Sequence, residues 1–531
     1  MSRVQRLVVS LALAVGAAVS AQAASAVTFS APVPSGRALS QLAAAESAHV
    51  ALEPSVRAER LVRAHGGKLL SARLRIWTLD GSAAARLVPQ LDRMGALRYA
   101  EPSRRRDSLV RFTDPLATPE ISYHLRAIGA DRAEAPGPGF PITIIDSGLD
   151  LTHPDFAGRP NTVLLNPQFV SSPNGEDYHG TEVASTAAAA VNGVGAEGAY
   201  PDAALRIFDL RDDLSDDSVV AGIEAALAAG PSVINLSLGG TEPSRAEFEA
   251  TQLAFGSGSL VVASSGNELE DGNPTLYPAS FPHVLTVGAT DSGDQPAVFS
   301  SSSPAVDLSA PGEQIPFQDP LDPASYDLID GTSFSAPLVS AAAAWVRTVR
   351  GAMTVGQLSD LLRFGARDIG PKGYDQRSGY GILDIPASLA EPLPPRDPQE
   401  PNDDIRQVVA GGLFRSAKPL ASALFSASLD DVEDPGDVYR VALPKGRKLT
   451  VRVTSDDNVR IALFGSTART VEGTRNRLAV ADRAGKAPES LTYTNKGRGA
   501  IVLFLDVSPS KARTVANPSY RVELRTAPAP R

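Results

Sequence analysis

The arrangement of apolar and polar positions is most regular between about residues 112 and 390. Short apolar runs rich in β-branched residues alternate there with Ala-rich segments, which is the pattern of buried parallel strands separated by helices. This alternation predicts an α/β fold with a doubly wound, mostly parallel sheet and helices on both of its faces. The runs that we assign to strands are Ile142–Ile145, Ser232–Leu236, Leu260–Ala263 and Val284–Val287.

The pattern changes after residue 391. The Pro-rich stretch 392–399 breaks regular structure and is typical of a linker. From 400 to 531, apolar and polar residues alternate with a period of two between turn residues, which predicts a small C-terminal β-sandwich. The segments predicted to be strands are 437–444, 449–453, 459–464, 500–505 and 520–524.

The first 26 residues have the layout of a secretory signal peptide. Arg3 and Arg6 precede an apolar run from Leu7 to Val19, and small residues that suit signal-peptidase cleavage follow. A membrane anchor is the alternative, but the run is shorter than the roughly 20 residues of a spanning helix. We therefore expect an exported protein, extracellular or periplasmic, that has no membrane contact once the signal is removed.

Residues 27–111 form a further region with strand and helix patterns of its own, a small α+β unit. Ser82 is the expected start of a helix that runs to Met94, and Pro89 is expected to kink this helix. Alternatively, the helix begins at Pro89 itself. Residues 65–70 are predicted to form a turn that enters a strand, 74–79 another strand, and 96–102 the final strand of the region.

The composition of the chain limits its number of domains, its partners and the kinds of chemistry it can carry out. The chain has 531 residues, more than one hydrophobic core supports, so several domains are expected. The formal net charge is −10, which disfavours nucleic acid as a partner. The sequence has no cysteine, which excludes disulfides, thiolate nucleophiles and cysteine-held metal sites.

Three residues of the α/β region together suit nucleophilic catalysis. Asp146 stands at the carboxyl end of a predicted strand, and Ser333 precedes a predicted helix. His179 opens an Ala-rich helix that is expected to reach about Val191. A serine hydroxyl needs a base to take its proton, imidazole suits that role, and a carboxylate fixes the imidazole tautomer. Taken singly, Asp146 fits a solvated turn and Ser333 fits a helix N-cap, but their combination with His179 favours catalysis.

Further motifs surround these residues, and the whole set resembles the subtilisin-like serine peptidases. The resemblance covers roughly residues 114–390, about half of the chain, and the order Asp, His, Ser is the order known for subtilisin. The motifs that carry it are Ile145–Gly148, His153–Asp155, His179–Thr181, Asn235–Gly239, Ser265–Asn267 and Gly331–Pro337.

The resemblance implies a role for each of these residues. Ser333 would attack the peptide carbonyl, His179 would act as base and then as acid, and Asp146 would orient His179. The Asn267 side chain and the Ser333 backbone N–H would form the oxyanion hole. No cofactor is required for this chemistry. The substrate-binding residues that the resemblance implies are Ser237, Leu238, Gly239, Ala263, Ser264, Ser265 and Gly266.

Structural calcium is a separate expectation. Members of the family often bind calcium, and Asp155 and Asn192 resemble one such site in position, with oxygen ligands of the kind that calcium takes. A plain Asn-Gly turn explains Asn192 equally well, so both interpretations stay open. Two departures from the family pattern lie nearby: Glu182 stands where a second histidine is frequent, and Ser185 stands where glycine is usual.

The flanking regions resemble accessory parts of such enzymes. Residues 27–111 resemble a pro-segment that assists folding, occupies the cleft as an intramolecular inhibitor and is cut off autocatalytically within about 103–113. A permanent N-terminal domain is the alternative. Glu400–Asp403 and Asp437–Tyr439 resemble bacterial pre-peptidase C-terminal domains. We interpret the acidic residues there as solvated surface, with metal binding as the alternative; they are Asp403, Asp404 and Asp434.

The function that follows is an exported, monomeric serine endopeptidase of broad specificity that acts on polypeptide substrates. A processing peptidase with few substrates is one alternative. A non-catalytic binding protein on the same fold is the other. The predicted division of the chain is signal peptide 1–26, pro-segment 27–111, catalytic domain 112–391, linker 392–399 and β-sandwich 400–531.

Overall fold

The computed structural model describes most of the chain: residues 36–45, 47–103, 114–118, 121–166, 178–211, 213–319, 325–408, 422–483, 485, 487–511 and 518–529. Among these residues, no helix has both the length and the apolar character needed to cross a membrane. The predicted signal peptide lies outside the described residues. The chain folds into two compact units that divide near residue 112.

The N-terminal unit is a small α+β fold. Its elements are α1 (Gly36–Ala44), β1 (Ser47–Leu52), α2 (Val56–Ala64), β2 (Lys68–Ser71), β3 (Ile76–Asp80), α3 (Gly81–Arg93) and β4 (Leu97–Pro102). The four strands form an antiparallel sheet in the order β2-β3-β1-β4. Alternate residues of β3, Trp77 and Leu79, share one buried core with Leu87 and Leu91 of α3. This sheet confirms the α+β prediction for the region.

Helix α3 begins earlier than the sequence predicts. Asp80 is its N-cap, because a carboxylate oxygen of Asp80 accepts a hydrogen bond from the Ala83 N–H at 3.0 Å. The prediction that Ser82 caps the helix is therefore wrong. The helix also continues through Pro89, so it does not begin there.

The α/β region, residues 114–391, is built on one seven-stranded sheet in the order β11-β10-β9-β8-β5-β7-β6. Every pairing in this sheet is parallel, which confirms the predicted fold class. Its elements are α4 (Tyr123–Ala127), a 3₁₀ turn (Ala130–Arg132), β5 (Ile142–Asp146), β6 (Thr162–Leu164), α5 (His179–Ala188), β7 (Leu205–Asp209), α6 (Asp216–Ala228), β8 (Val233–Leu236), α7 (Arg245–Gly256), β9 (Leu260–Ser264), β10 (Val284–Thr290), β11 (Val306–Pro311), β12 (Ile315–Gln318), β13 (Tyr326–Ile329), α8 (Thr332–Arg350), α9 (Val355–Gly365) and α10 (Ile385–Ala390).

Both faces of the sheet are covered, as β5 illustrates. Ile142 and Ile144 lie in a core that also contains Trp345 of α8. Ile145 faces the opposite way, into a second core with Ile223 of α6 and Ala254 of α7. A strand that is buried on both faces needs an unbroken apolar run, which is why the sequence pattern identified β5.

The C-terminal region, residues 400–529, is a β-sandwich of two antiparallel four-stranded sheets, in the orders β14-β21-β16-β19 and β15-β20-β17-β18. The strands are β14 (Ser422–Ser428), β15 (Asp437–Leu443), β16 (Arg447–Ser455), β17 (Val459–Gly465), β18 (Arg477–Ala481), β19 (Glu489–Thr494), β20 (Ile501–Pro509) and β21 (Ser519–Pro528). All five predicted strands are present. The sequence missed β14, β18 and β19, which lie at sheet edges and have weaker apolar patterns.

The β-sandwich region packs against the α/β region through the linker and the residues that follow it. The Gln357 side chain of α9 donates a hydrogen bond to the Pro394 carbonyl at 2.6 Å. The Gln407 side chain reaches the Gln252 side chain of α7 at 3.2 Å. At this junction Asp403 Oδ2 lies 3.3 Å from His283 Nε2, and the Asp403 side chain is only 11% exposed. The interpretation of Asp403 as solvated surface is therefore wrong.

Candidate active site

Asp146 closes strand β5 at the edge of the sheet where the parallel strands end. It is 3% exposed, and one of its carboxylate oxygens accepts a hydrogen bond from the Ser147 N–H at 2.7 Å. The carboxyl ends of parallel strands are the usual place for a site in a fold of this kind. A buried carboxylate in this position can bind and orient one neighbouring donor.

That neighbour is His179, the first residue of α5. Its Nδ1 lies 2.8 Å from the Asp146 carboxylate, while its side chain is 34% exposed. The start of α5 is tied to the end of β5, because the Gly180 N–H donates to the Ser147 hydroxyl at 3.0 Å. A methyl group at Gly180 would lie 2.3 Å from the Gly148 carbonyl oxygen, so only glycine permits this approach.

Ser333 is the second residue of α8 and lies beside the end of β8. Its hydroxyl donates to the Ser237 carbonyl at 3.3 Å, and the Ser237 hydroxyl donates back to the Ser333 carbonyl at 2.7 Å. The ring of Phe334, the next residue, lies 5.9 Å from the His179 ring. The structure pairs His179 with Asp146 and bonds Ser333 to Ser237, which lines the same cleft as those two residues.

Asn267 lies at the N-terminus of the same helix. Its side-chain oxygen accepts hydrogen bonds from the backbone N–H and the hydroxyl of Thr332, both at 2.9 Å. The amide nitrogen is turned toward Gly331, where an added Cβ would lie 3.5 Å from it. Gly331 has φ +153°, a conformation that favours glycine. The Asn267 side chain is thus fixed at the start of α8, the helix whose second residue is Ser333.

A cleft of about 680 Å³ opens beside these groups and is lined by Asp146, His179 and residues 237–244. Of the predicted substrate-binding residues, Ser237, Leu238 and Gly239 line this cleft. The others lie at the end of β9 and just after it. Ala263, Ser264 and Ser265 are buried there and Gly266 is half-buried.

Three acidic side chains that none of the sequence motifs indicated also line the cleft: Asp216, Glu242 and Glu247. Burial, and secondarily the charge of Asp216, raises the pKa of Glu247 to about 7. The signal that could have found Asp216 is the acidic run Asp209–Asp217. Part of this run begins helix α6 at the rim of the cleft, where carboxylates are favourable.

We next compared the chain with known proteins. The Subtilase family profile matches residues 137–381. The subtilisin of Bacillus pumilus is 34% identical over 257 residues, which are 48% of this chain and 91% of that protein.

The chain belongs to the subtilase family.

Two other proteins are also similar to this chain. Fervidolysin of Fervidobacterium pennivorans is 30% identical over 401 residues, 63% of this chain and 57% of that protein. Its crystal structure covers 84% of each chain with a TM-score of 0.49 and 21% identity. The minor extracellular protease Epr of Bacillus subtilis is 33% identical over 265 residues, 49% of this chain and 40% of that protein.

Family membership settles the class of chemistry. Subtilases are serine endopeptidases, so this chain is a subtilisin-like serine peptidase whose substrates are polypeptides. The peptide hydrolysis of this family needs no cofactor.

The structure places the predicted calcium residues on neighbouring loops of the subtilase fold. Asp155 is fully buried, and its two carboxylate oxygens accept from the Ser185 hydroxyl at 2.6 Å and the Ala196 N–H at 3.1 Å. The Asn192 side chain donates to the Pro154 carbonyl at 2.9 Å, while Asp114 accepts from the Asn192 N–H at 3.1 Å. Burial raises the pKa of Asp155.

One departure from the subtilase pattern acquires a structural role. Ser185 supplies a hydroxyl to the buried Asp155, which the usual glycine could not do. His153 stabilises the same turn, since its ring stacks on Phe317 at 4.9 Å and its Nε2 lies 2.9 Å from the Gln318 carbonyl. His153 therefore has a structural role in this turn.

Proposed function

We propose that this subtilase is an exported endopeptidase in which Ser333, His179 and Asp146 form the triad. The observation that carries the proposal is the 2.8 Å contact between His179 Nδ1 and the buried Asp146, beside the helix that holds Ser333. Rotation about the Cα–Cβ bond of Ser333 turns its hydroxyl from the Ser237 carbonyl toward the imidazole. His179 then takes the proton as Ser333 Oγ attacks the peptide carbonyl.

The remaining steps follow from the same groups. Asp146 holds the Nδ1–H tautomer of His179, so that Nε2 is the atom that accepts the proton and later gives it to the leaving amine. The Asn267 amide and the Ser333 N–H stabilise the tetrahedral oxyanion. Water then attacks the acyl-enzyme, with His179 again acting as the base, and releases the second product.

We propose broad specificity with respect to substrate sequence. Ser237, Leu238 and Gly239 continue from strand β8 into the cleft, where an extended substrate can pair with their backbone. Main-chain pairing gives affinity that depends little on side chains. Ala263, Ser264, Ser265 and Gly266 form the wall next to the site of attack in this proposal. A monomer suffices, since one chain supplies every group.

We also propose that the chain is made as a precursor. The signal peptide would be 1–26, the pro-segment 27–111 and the catalytic domain 112–391, followed by the linker 392–399 and the β-sandwich 400–531. A pro-segment that inhibits its own enzyme must be cut off before the enzyme acts on other proteins. The compact fold of residues 47–102, with its own core, supports a separately folding inhibitor.

We further propose a structural calcium at Asp155 and Asn192. Their side-chain oxygens, with the nearby carboxylate of Asp114, are ligands of the type that calcium takes. We expect a calcium-selective chelator to lower the melting temperature of the protein and added calcium to restore it. A melting temperature that does not respond to the chelator contradicts this part of the proposal.

The decisive experiment compares wild type with Ser333→Ala, using the exposed Ser257→Ala as the matched control. We expect wild type and Ser257→Ala to shorten their own chains and to cleave casein, and Ser333→Ala to remain full-length and inactive. Casein cleavage by Ser333→Ala would refute the nucleophile. Self-processing without casein cleavage would favour a narrow processing peptidase, and inactivity of the wild type would favour a binding protein.

A further inference from the structure

A group of acidic side chains surrounds one histidine where the β-sandwich region meets the α/β region. His283 precedes β10 in the α/β region, whereas Glu400 and Asp403 follow the linker. Their side chains are 5%, 13% and 11% exposed. We call these three residues the interdomain cluster. They lie outside the substrate cleft and have no part in the proposed peptide chemistry.

The ring of His283 is held in one orientation. The residue has φ +63°, its backbone N–H donates to the Glu433 carboxylate, and its ring stacks on Phe255 with 4.3 Å between centroids. Its Nε2 lies 3.3 Å from Asp403 Oδ2 and 3.6 Å from Glu400 Oε2, yet this buried nitrogen has no hydrogen-bond partner. The nitrogen therefore points between the two carboxylates and not at either of them.

The carboxylates also lack donors. Both oxygens of Glu400 and Oδ1 of Asp403 are buried and receive no hydrogen bond from an N–H group, although Glu400 lies against the Asp437 carboxyl group. Asp403 Oδ2 accepts only from the Gln407 side chain, at 2.8 Å. In the described part of the chain, His283 is the one basic side chain whose nitrogen lies within 4.0 Å of the Glu400 or Asp403 carboxylate. Buried acceptors without donors, and carboxylates crowded together, destabilise a fold. One cation among these atoms would remove both effects.

We propose that His283, Glu400 and Asp403 bind a divalent cation of the zinc class. One imidazole and two carboxylates are a ligand set for zinc. Bonds of about 2.0–2.2 Å in a tetrahedron place ligand atoms roughly 3.3–3.6 Å apart. The measured separations from His283 Nε2, 3.3 and 3.6 Å, match that spacing. All three ligand atoms lie within 4.8 Å of one another.

Imidazole distinguishes this site from a calcium site. Calcium takes oxygen ligands, and an all-oxygen group of Asp397, Glu400 and Asp437 shares Glu400 with the interdomain cluster. Only an ion of the zinc class makes use of His283. The unpartnered, buried Nε2 therefore decides the chemical class of the ion.

The ion would join two regions of the molecule. One ligand comes from the α/β region and two come from beyond the linker, so the site is complete only while the regions are packed together. Binding energy at such a site stabilises the packed state. Zinc here would act as a clamp between the α/β region and the β-sandwich region.

The test uses the full-length chain with Ser333→Ala, so that proteolysis does not interfere. Zinc is removed, then zinc chloride alone is titrated back and followed by calorimetry and elemental analysis. We expect about one tightly bound zinc ion per chain and a higher melting temperature with zinc. We expect His283→Gln and Glu400→Gln each to weaken zinc binding at least about tenfold. The exposed residues His65 and Glu472 provide matched controls, His65→Gln and Glu472→Gln, which should bind zinc normally.

Two outcomes would overturn the proposal. One is a zinc affinity that is unchanged in His283→Gln. The other is a site that takes calcium in preference to zinc, which would point to the all-oxygen group. If His283→Gln does not fold, X-ray absorption at the zinc edge of the parent chain decides the matter. An imidazole ligand in that spectrum supports the site, and a spectrum with oxygen ligands alone refutes it.

Discussion

At the scale of single residues, the site depends on where a few polar atoms point. The hydroxyl of Ser333 is engaged with the Ser237 carbonyl at 3.3 Å, a long and weak hydrogen bond that substrate can replace. His179 is fixed much more firmly, at 2.8 Å from Asp146. In the mechanism that we propose, the base is therefore set in advance and the nucleophile turns to it. The Asn267 side chain is also held in place, by its hydrogen bonds to Thr332. Removing its amide group should therefore test the proposed oxyanion donor without disturbing its surroundings.

Asn267→Asp isolates the oxyanion donor. Aspartate keeps an oxygen for the N–H and hydroxyl of Thr332, which now bond to Asn267 at 2.9 Å, but it removes the amide N–H. We expect kcat to fall by at least about 10²–10³ with little change in KM, because the donor acts on the transition state. Steady-state kinetics on a peptide substrate measure this. Undiminished kcat in Asn267→Asp would show that Asn267 is not part of the oxyanion hole.

Glu247 makes stability depend on pH. Burial, with help from Asp216, raises its pKa in the folded protein from 4.5 to about 7, so the folded state keeps a proton that the unfolded state has lost. Its contribution to stability is therefore complete below pH 4.5 and is lost as the pH rises through 7. We expect Glu247→Gln, made in the Ser333→Ala chain, to have a higher melting temperature than Ser333→Ala at pH 8. At pH 4.5 the two melting temperatures should be equal. If the two melting temperatures differ by the same amount at both pH values, ionisation of Glu247 is not the cause of the difference.

At the scale of elements, burial on both faces decided what the sequence could predict. Strand β5 lies inside the sheet and reads as an unbroken apolar run, so the sequence located it. Strand β7 alternates buried and half-buried residues, since Arg206 reaches out to the Gly230 carbonyl at 2.7 Å, and the sequence missed it. Helix α5 ends at Ala188 and not near Val191, because the alanines that continue the pattern carry no stop signal.

The start of α5 provides a test at this scale. In Gly180→Ala the new methyl group would lie 2.3 Å from the Gly148 carbonyl oxygen, and neither backbone can yield without moving the helix. His179 would then shift away from Asp146. We expect kcat to fall about 10²-fold, as a displacement of about 1 Å can cause. Gly137→Ala is the control, because nothing lies within 4 Å of its added methyl group. Equal kcat values for the two variants would contradict the argument.

At the scale of the whole molecule, the triad and the interdomain cluster differ in how they can be found. Asp146, His179 and Ser333 each lie in a local motif, so the sequence alone was enough to propose them as a group. His283 and Glu400 lie far apart in the sequence, and neither has a motif that names its partner. Their contact follows from the packing of the β-sandwich region on the α/β region. Only tertiary structure could reveal it.

The same junction contains a buried ion pair that couples its stability to pH. Arg363 of α9 lies 3.2 Å from the Asp307 carboxylate, with side chains that are 12% and 5% exposed. Burial raises the pKa of Asp307 to about 7 even though Arg363 opposes the shift, and Asp430 of the β-sandwich region adds to it. Because the folded pKa is raised from 3.8, the contribution of Asp307 to stability is lost as the pH rises through 7.

Arg363→Met should therefore destabilise the protein most at alkaline pH. Without Arg363, the ionised Asp307 is a buried charge with one fewer partner, and breaking such a pair costs about 3–5 kcal/mol. At pH 5 Asp307 is protonated in the fold, so the loss of stability should be smaller. Urea unfolding of the Ser333→Ala chain measures both values. Arg245→Met, which removes an exposed pair with Glu249, should lose less than about 1 kcal/mol at either pH.

Adding Asp307→Asn to Arg363→Met should restore much of the stability at pH 8, since the uncompensated charge is then gone. If the double variant is no more stable than Arg363→Met at pH 8, packing and not charge explains the loss.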